Sequence, residues 1–127
     1  MTELPVANAS KDWVRRPSAF ALWWALPIVI GVSSSLLELS LAQAAFLWAA
    51  LFAWMGTGCV LNALRCARLH CFISGPALWL GAVAAVLVGL GVISGPHALN
   101  DVINATVVLV ILSYVPEWIR GKYASKA

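Results

Sequence analysis

The fold of this chain is decided by residues 41–64, LAQAAFLWAALFAWMGTGCVLNAL, which contain no charged side chain. An α-helix rises about 1.5 Å per residue, so about 20 mostly apolar residues cross the hydrocarbon core of a bilayer. Residues 41–64 exceed that length. They therefore predict a transmembrane helix.

Three more apolar segments flank this helix along the chain. They lie at residues 19–37, 76–93 and 99–115. Together the four segments predict an all-α protein, an integral membrane bundle of four transmembrane helices that forms a single domain over residues 19–115. Residues 1–18 and 116–127 are more polar and predict two short tails outside the hydrocarbon region.

The composition supports the same fold class. The chain has 127 residues, of which 62% are hydrophobic and 10% are charged, whereas about 25% of the residues in a soluble domain are charged. Because so few polar groups cannot cover the apolar surface in water, we expect the lipid bilayer to be the main partner. No run of basic residues alternates with aromatic residues, so nucleic-acid binding is not predicted.

All the basic side chains fall in three places, namely the two tails and the polar segment 65–75. They are Lys11, Arg15, Arg16, Arg65, Arg68, Arg120, Lys122 and Lys126. An excess of Lys and Arg is typical of cytoplasmic segments. The pattern predicts that both termini and residues 65–75 are cytoplasmic, which an even number of spans allows.

Small residues form a stripe on the third predicted helix. Gly81, Ala85 and Gly89 are spaced four residues apart and therefore lie on one helix face. Such stripes let two membrane helices approach closely. The stripe predicts either packing within the bundle or the face of a homodimer, and the sequence leaves both open.

Thiol and imidazole groups are concentrated around the end of the second predicted helix. If that helix continues past residue 64, Cys59, Cys66 and His70 lie within roughly 40° of one another at about 100° per residue. Asn62 lies on the same side. Cys71 lies about 100° away, but its sulfur can turn inward if the helix ends there.

Thiolate and imidazole are ligands that soft metal ions prefer. The predicted metal ligands are Cys59, Cys66, His70 and Cys71. Three sulfurs and one nitrogen can form a tetrahedral site, and two sulfurs suffice for a linear one. Asn62 is a supporting residue, and Arg65 and Arg68 would favour the thiolate forms. The alternative is that the cysteines are small hydrophobic residues and the arginines only set the orientation.

A second polar group lies at the opposite ends of the predicted helices. Glu38, His97 and Asp101 form an outer group that could collect a cation. Asn100 and Asn104 are near the start of the fourth predicted helix, where Asn and Asp commonly cap free backbone N–H groups. Capping is the alternative function of Asp101 as well.

Residues 58–76, GCVLNALRCARLHCFISGP, carry a resemblance to known proteins. They resemble the core G-C-x-x-N-A-x-R-C-x-R-x-H-C-x-x-[ST]-G-P of a family of small, largely uncharacterised prokaryotic four-helix membrane proteins. The resemblance implies a prokaryotic cytoplasmic (inner) membrane and no particular activity. In size and cysteine use the chain is also loosely similar to small bacterial mercuric-ion transporters. Those carry an adjacent Cys-Cys pair in their first span, which this chain lacks, so no ligand residue carries over.

Three functions follow from these observations as hypotheses. The leading one is a small membrane protein that binds or transports a soft metal ion, such as Hg²⁺ or Cu⁺, through the Cys/His cluster. The second is a non-catalytic accessory subunit of a larger membrane complex. The third is a membrane thiol oxidoreductase that uses Cys66 and Cys71. The sequence has no Gly-rich phosphate loop, Ser/His/Asp set or paired carboxylates, so a non-enzymatic role is favoured.

Overall fold

The structure, a computed structural model, describes residues 9–123. The helices are α1 (Pro17–Ser34), α2 (Leu41–Cys66), α3 (Leu69–Gly89), α4 (Ala98–Leu112) and α5 (Val115–Arg120). Helices α4 and α5 together make the fourth span, Ala98–Arg120, and a 3-10 turn at Trp13–Arg15 precedes α1. Within residues 9–123, four helices are long and apolar enough to cross a membrane, so the predicted fold class is confirmed.

Helix α1 contains a wide π-helical turn at Ala21–Ala25, immediately before a proline. Pro27 has no N–H to donate, and its ring would crowd the carbonyl of Trp23 in a regular α-helix. The chain widens instead, and the N–H of Leu26 bonds to the carbonyl of Ala21, five residues earlier. The helix therefore continues through the proline as one span.

Helix α2 has a capping box at its start. The Ser40 hydroxyl accepts a hydrogen bond from the Gln43 N–H at 3.1 Å, and the Gln43 side chain accepts one from the Ser40 N–H at 3.0 Å. This pair satisfies two N–H groups that the helix itself leaves free. The helix ends at Cys66 because Ala67 adopts a left-handed backbone conformation with φ of 56°.

The polar segment 65–75, which separates the second and third predicted spans, is not a loop in the structure. Helix α3 begins at Leu69, so only Ala67 and Arg68 connect α2 to α3, and Pro76 lies inside α3 rather than in its first turn. Proline is tolerated inside membrane helices, where neighbouring groups satisfy the freed carbonyl. The polar residues of this segment therefore lie mostly at the end of α2 and in the first turns of α3, and only two of its residues connect the helices.

The start of α3 is stabilised by the far end of the chain. The Leu69 N–H donates to the Lys122 carbonyl at 2.9 Å, and the His70 N–H donates to Glu117 Oε1 at 3.2 Å. These are N–H groups that a helix start leaves without intrahelical partners. Because the caps come from residues 47 and 53 positions away, no local sequence signal marks this helix start.

Helices α2 and α3 form the closest pair in the bundle. A Cβ atom on Gly75 would lie 2.8 Å from Val60 Cγ2, and one on Gly56 would lie 3.2 Å from the Gly75 carbonyl oxygen. Only glycine allows the two backbones to approach so closely. This contact brings Cys59 of α2 beside Cys71 and Ser74 of α3.

The small-residue stripe of α3 packs inside the bundle. Gly81 faces Thr106 of α4, and Ala85 is fully buried. Gly89 faces the Phe46 ring of α2, and a Cβ atom on Gly89 would lie 3.0 Å from Phe46 Cζ. These contacts are all within the chain. The stripe is therefore not an exposed face for a homodimer.

Replacing Gly81 with alanine should lower the free energy of unfolding by about 1–3 kcal/mol, because the added methyl group would overlap the Thr106 side chain. Thermal unfolding in detergent would measure the change. The double variant Gly81→Ala/Thr106→Ala should recover part of the loss, since it removes the opposing atoms. Equal stability of the single variant and the wild type would contradict this packing.

Both described chain ends meet the α2–α3 corner at one end of the bundle. The Trp13 N–H donates to Asn62 Oδ1 at 2.8 Å, and Arg68 and Tyr123 form an isolated antiparallel bridge. The basic residues near these segments therefore share that end, which we call the basic end; Lys126 lies outside the described residues. Residues 35–40 and 90–97 connect the helices at the opposite end.

Candidate functional site

A buried aspartate joins the N-terminal segment to the bundle at the basic end. Asp12 is 0% exposed and accepts hydrogen bonds from Asn62 Nδ2 at 2.9 Å, Arg68 Nη1 at 2.5 Å and the Tyr123 hydroxyl at 3.1 Å. Burial alone would raise the pKa of Asp12. The hydrogen bonds from Asn62 and Arg68 and the Arg68 charge outweigh it, and the pKa lies below its ordinary value. Asp12 is therefore ionised at neutral pH.

Arg68 connects Asp12 to a second carboxylate. Its Nε atom lies 3.1 Å from Glu117 Oε1, and its side chain is 9% exposed. Burial acts to lower the pKa of Arg68, but the hydrogen bonds and charges of Asp12 and Glu117 raise it above its ordinary value. The corner between α2 and α3 thus holds a buried cation between two carboxylates. We call Asp12, Arg68, Glu117 and His70 the ion-pair network.

Glu117 orients the imidazole of His70. His70 Nδ1 lies 2.6 Å from Glu117 Oε1, and the ring stacks on Tyr114 with 4.2 Å between centroids. The Arg68 Nε–H lies 3.1 Å from both His70 Nδ1 and Glu117 Oε1. Because the shorter contact, between Nδ1 and the carboxylate, requires a proton between them, we assign the hydrogen to Nδ1, and Arg68 then donates to Glu117. In the neutral imidazole Nε2 is then a hydrogen-bond acceptor and a base.

The free nitrogen of His70 faces a thiol. His70 Nε2 lies 3.4 Å from Cys71 Sγ, and Asn62 Nδ2 donates to the same sulfur at 3.5 Å. The orienting carboxylate, the imidazole and the thiol follow one another in hydrogen-bonding contact. This is the arrangement that activates a cysteine, because the base can take the thiol proton.

A second thiol lies near the first. Cys59 of α2 and Cys71 of α3 are buried in the same core cluster, and Ser74, one turn after Cys71, contacts Cys59. Cys59 Sγ also accepts hydrogen bonds from Trp24 Nε1 at 3.3 Å and from the Ser74 hydroxyl at 3.4 Å. We call Cys59 and Cys71 the thiol pair. Cys59 Sγ thus accepts hydrogen bonds from two donors, and Cys71 Sγ accepts one, from Asn62.

The Cys66 thiol makes its hydrogen bond within its own helix. It donates to the Asn62 carbonyl at 3.1 Å, one turn earlier in α2. The predicted stripe of Cys59, Cys66 and His70 on one continuous helix is wrong, because α2 ends at Cys66 and His70 arrives on α3. Cys59, and not Cys66, shares a buried core cluster with Cys71.

The four-ligand metal site predicted from the sequence is not assembled in the structure. Within residues 9–123, no three His, Cys, Asp or Glu side chains are arranged as a group that could hold a metal ion. The structure instead brings together the thiol pair and the imidazole beside it. Two thiolates are the donor set of a linear site.

A cavity of about 180 Å³ lies beside the thiol pair. Cys59, His70 and Ser74 line its inner end, and the rest of its wall is mostly apolar. The remaining lining residues are Val14, Phe20, Trp24, Ile28, Met55, Leu78, Val110 and Tyr114. Phe20 and Ile28 are about half exposed at the outside of the bundle, so the cavity is bounded by lipid-facing side chains of α1.

The other predicted site residues lie away from the thiols. Arg65 is exposed and its guanidinium lies 4.8 Å from the centre of the Trp13 ring, so it contacts the N-terminal segment rather than a cysteine. His97 and Asp101 line a cavity of about 400 Å³ at the opposite end of the bundle. Glu38 is exposed at that end and does not line the cavity.

Sequence reasoning missed Asp12 and Glu117, the two carboxylates of the ion-pair network. Both are acidic residues in segments that carry many basic ones, and both lie near the predicted boundary of the membrane. A buried Arg68 beside the bilayer requires a partner, since an unpaired charge there is costly. That requirement is the signal that could have identified them.

Comparisons with known proteins add no functional information to this geometry. No family model, no curated protein and no solved structure matches the chain.

Proposed function

We propose that this protein binds a soft metal ion, such as Hg²⁺ or Cu⁺, between the sulfurs of Cys59 and Cys71. The observation that carries the proposal is that these two cysteines, one from α2 and one from α3, are buried in the same core cluster. Soft thiolate ligands select soft ions over hard ones such as Mg²⁺. A linear ion needs two sulfurs, so Cys66 is not required.

The neighbouring imidazole gives the site a way to release protons. Metal binding requires thiolates, so the thiol protons must leave when the ion enters. His70 Nε2 lies 3.4 Å from Cys71 Sγ and can accept one of them, and Glu117 at 2.6 Å from Nδ1 stabilises the imidazolium that results. The ion-pair network thus supports the chemistry of the thiol pair.

Metal content of the purified protein tests the proposal. Protein in detergent would be loaded with excess Cu⁺ under anaerobic reducing conditions and then desalted. We expect one ion per chain to remain on the wild type and none on Cys59→Ser/Cys71→Ser. A wild type that retains no metal, or a double variant that retains it fully, would contradict the proposal.

The proposal also includes an orientation, in which the basic end faces the cytoplasm of a prokaryotic cell. The excess of Lys and Arg at that end is typical of cytoplasmic segments, and the cytoplasm keeps thiols reduced. In a transport function, His97 and Asp101 would be the first groups that an ion meets at the opposite face. Transport then ends at the thiol pair, close to the cytoplasmic boundary.

Labelling of single cysteines tests this orientation. In a variant with Ala at Cys59, Cys66 and Cys71, exposed Ser94 or exposed Lys122 would be replaced with cysteine. A membrane-impermeant maleimide should label Ser94→Cys in intact cells and should label Lys122→Cys only after permeabilisation. The reverse pattern would show that the basic end is outside.

A further inference from the structure

We propose that Cys59 and Cys71 also form a reversible redox pair, and that a lipid-soluble quinone in the adjacent cavity oxidises them to a disulfide. The proposal goes beyond metal binding, because it assigns a second ligand to the cavity and a second chemical state to the thiol pair. It rests on the position of the cavity, the packing of Cys59 and Cys71 in one core cluster and the imidazole base beside Cys71.

The cavity has the size and the lining that one flat ring requires. Its volume is about 180 Å³, and an apolar cavity of roughly 150 Å³ is large enough to bind benzene. Phe20, Trp24 and Tyr114 line it together with aliphatic side chains, and aromatic groups favour offset or edge contacts with a ring. The size and the lining fit a single-ring quinone.

The same cavity has a lipid-side boundary and a reactive end. Phe20 and Ile28 are 42% and 49% exposed, and α1 packs mainly on α2 while α4 packs mainly on α3. The space between α1 and α4 is therefore the least tightly filled side of the bundle, and a molecule dissolved in the bilayer can approach there. At the inner end the ring would meet Cys59 and His70.

The reaction balances with the groups present and the quinone. Cys59 adds to the quinone ring, and its thiol proton goes to one quinone oxygen. His70 Nε2 takes the proton of Cys71, whose thiolate attacks Cys59 Sγ. The sulfur–sulfur bond forms, the carbon–sulfur bond breaks, and its electron pair stays on the ring. His70 then gives its proton to the second oxygen, so two thiols and one quinone yield one disulfide and one quinol.

His70 is positioned for both of its roles. It contacts Cys71 through Nε2 at 3.4 Å and also lines the cavity, so it can move a proton from the thiol to the bound ring. Glu117 on Nδ1 holds the ring in this orientation. An oxidised pair has no free thiolate, so the disulfide form would not bind a soft metal ion.

Purified metal-free protein in detergent would be mixed with tetramethyl-1,4-benzoquinone, whose fully substituted ring does not alkylate thiols permanently. We expect one quinol per chain, the loss of two of the three free thiols and a Cys59–Cys71 disulfide on peptide mapping. Cys66→Ser should react like the wild type. Cys59→Ser and Cys71→Ser should produce no quinol.

Filling the cavity gives a test that leaves the thiols in place. Val110→Phe from α4 and Ile28→Phe from α1 should each slow quinol formation by at least about tenfold, a barrier of about 1.4 kcal/mol. Val107→Phe, on the exposed face of α4, is the matched control and should react at the wild-type rate. All variants must show three free thiols when unfolded before the quinone is added.

Several results would overturn the inference. They are no quinol from the wild type, a disulfide that contains Cys66, and equal rates for Val107→Phe and both filling variants. Any of these with metal binding intact would remove the redox role and leave the proposed metal function standing. Loss of metal binding with normal quinol formation would refute the proposed metal function and leave the redox role standing.

Discussion

Replacing Cys71 with serine should lower the affinity of the purified protein for Cu⁺ by more than about 100-fold. Loss of an outer-shell partner typically costs 10–100-fold in metal affinity, and removal of one of only two ligands must cost more. A hydroxyl is also a hard donor, which a soft ion binds poorly. Competition with a chelator of known Cu⁺ affinity would measure the change.

Cys66→Ser is the matched control for this experiment. Cys66 lies in the same region of α2 as Cys59, but its thiol donates to the Asn62 carbonyl, and it is not a member of the core cluster that holds Cys59 and Cys71. A serine hydroxyl can make the same hydrogen bond, so we expect the affinity to stay within about threefold of the wild type, which is under 1 kcal/mol. Equal losses for Cys66→Ser and Cys71→Ser would refute a two-sulfur site.

Replacing Arg68 with methionine should lower the free energy of unfolding by about 3–5 kcal/mol, since it leaves two buried carboxylates without their cation. Asp12 is fully buried and Glu117 is 8% exposed, so water cannot replace the guanidinium easily. Both ends of the described chain should loosen as a result. Unfolding in detergent, followed by intrinsic tryptophan fluorescence, would measure the loss.

Two further variants separate this effect from a general loss of charge. Arg120→Met removes an exposed arginine from the same end of the bundle, and it should change the stability by less than about 0.5 kcal/mol. Arg68→Met/Asp12→Asn should recover part of the loss, because a neutral amide is less costly to bury than an unpaired carboxylate. If Arg120→Met is as damaging as Arg68→Met, the buried network is not what stabilises this end.

The sequence predicted the four spans because length and hydropathy are local properties. Residues 41–64 cross a bilayer whatever their neighbours are, and α2 contains all of them. The start of α3 could not be predicted in the same way. Its N–H groups are capped by Glu117 and by the Lys122 carbonyl, and partners so distant in sequence leave no pattern around Leu69.

Only part of the candidate site could be predicted from the sequence, because its other contacts join residues that are distant in the chain. Cys71 and His70 are adjacent in the chain, so their association needed no fold. The contact of Cys59 with Cys71 depends on where α2 ends and α3 begins, and a continuous helix favoured Cys66 instead. The orienting role of Glu117 depends on the packing of the fourth span against the start of α3, which the hydrophobic periodicity of the sequence does not reveal.

The capping of α3 by Glu117 and Lys122 has a consequence for biosynthesis. A ribosome releases the N-terminal half of the chain first, and at that stage the beginning of α3 and the guanidinium of Arg68 have no partners from the last span. The corner can close only when residues 117–122 have been translated and inserted. Assembly of this protein is therefore a late event, and an intermediate that stalls before the final span would present an unfinished helix start to the quality-control proteases of the membrane.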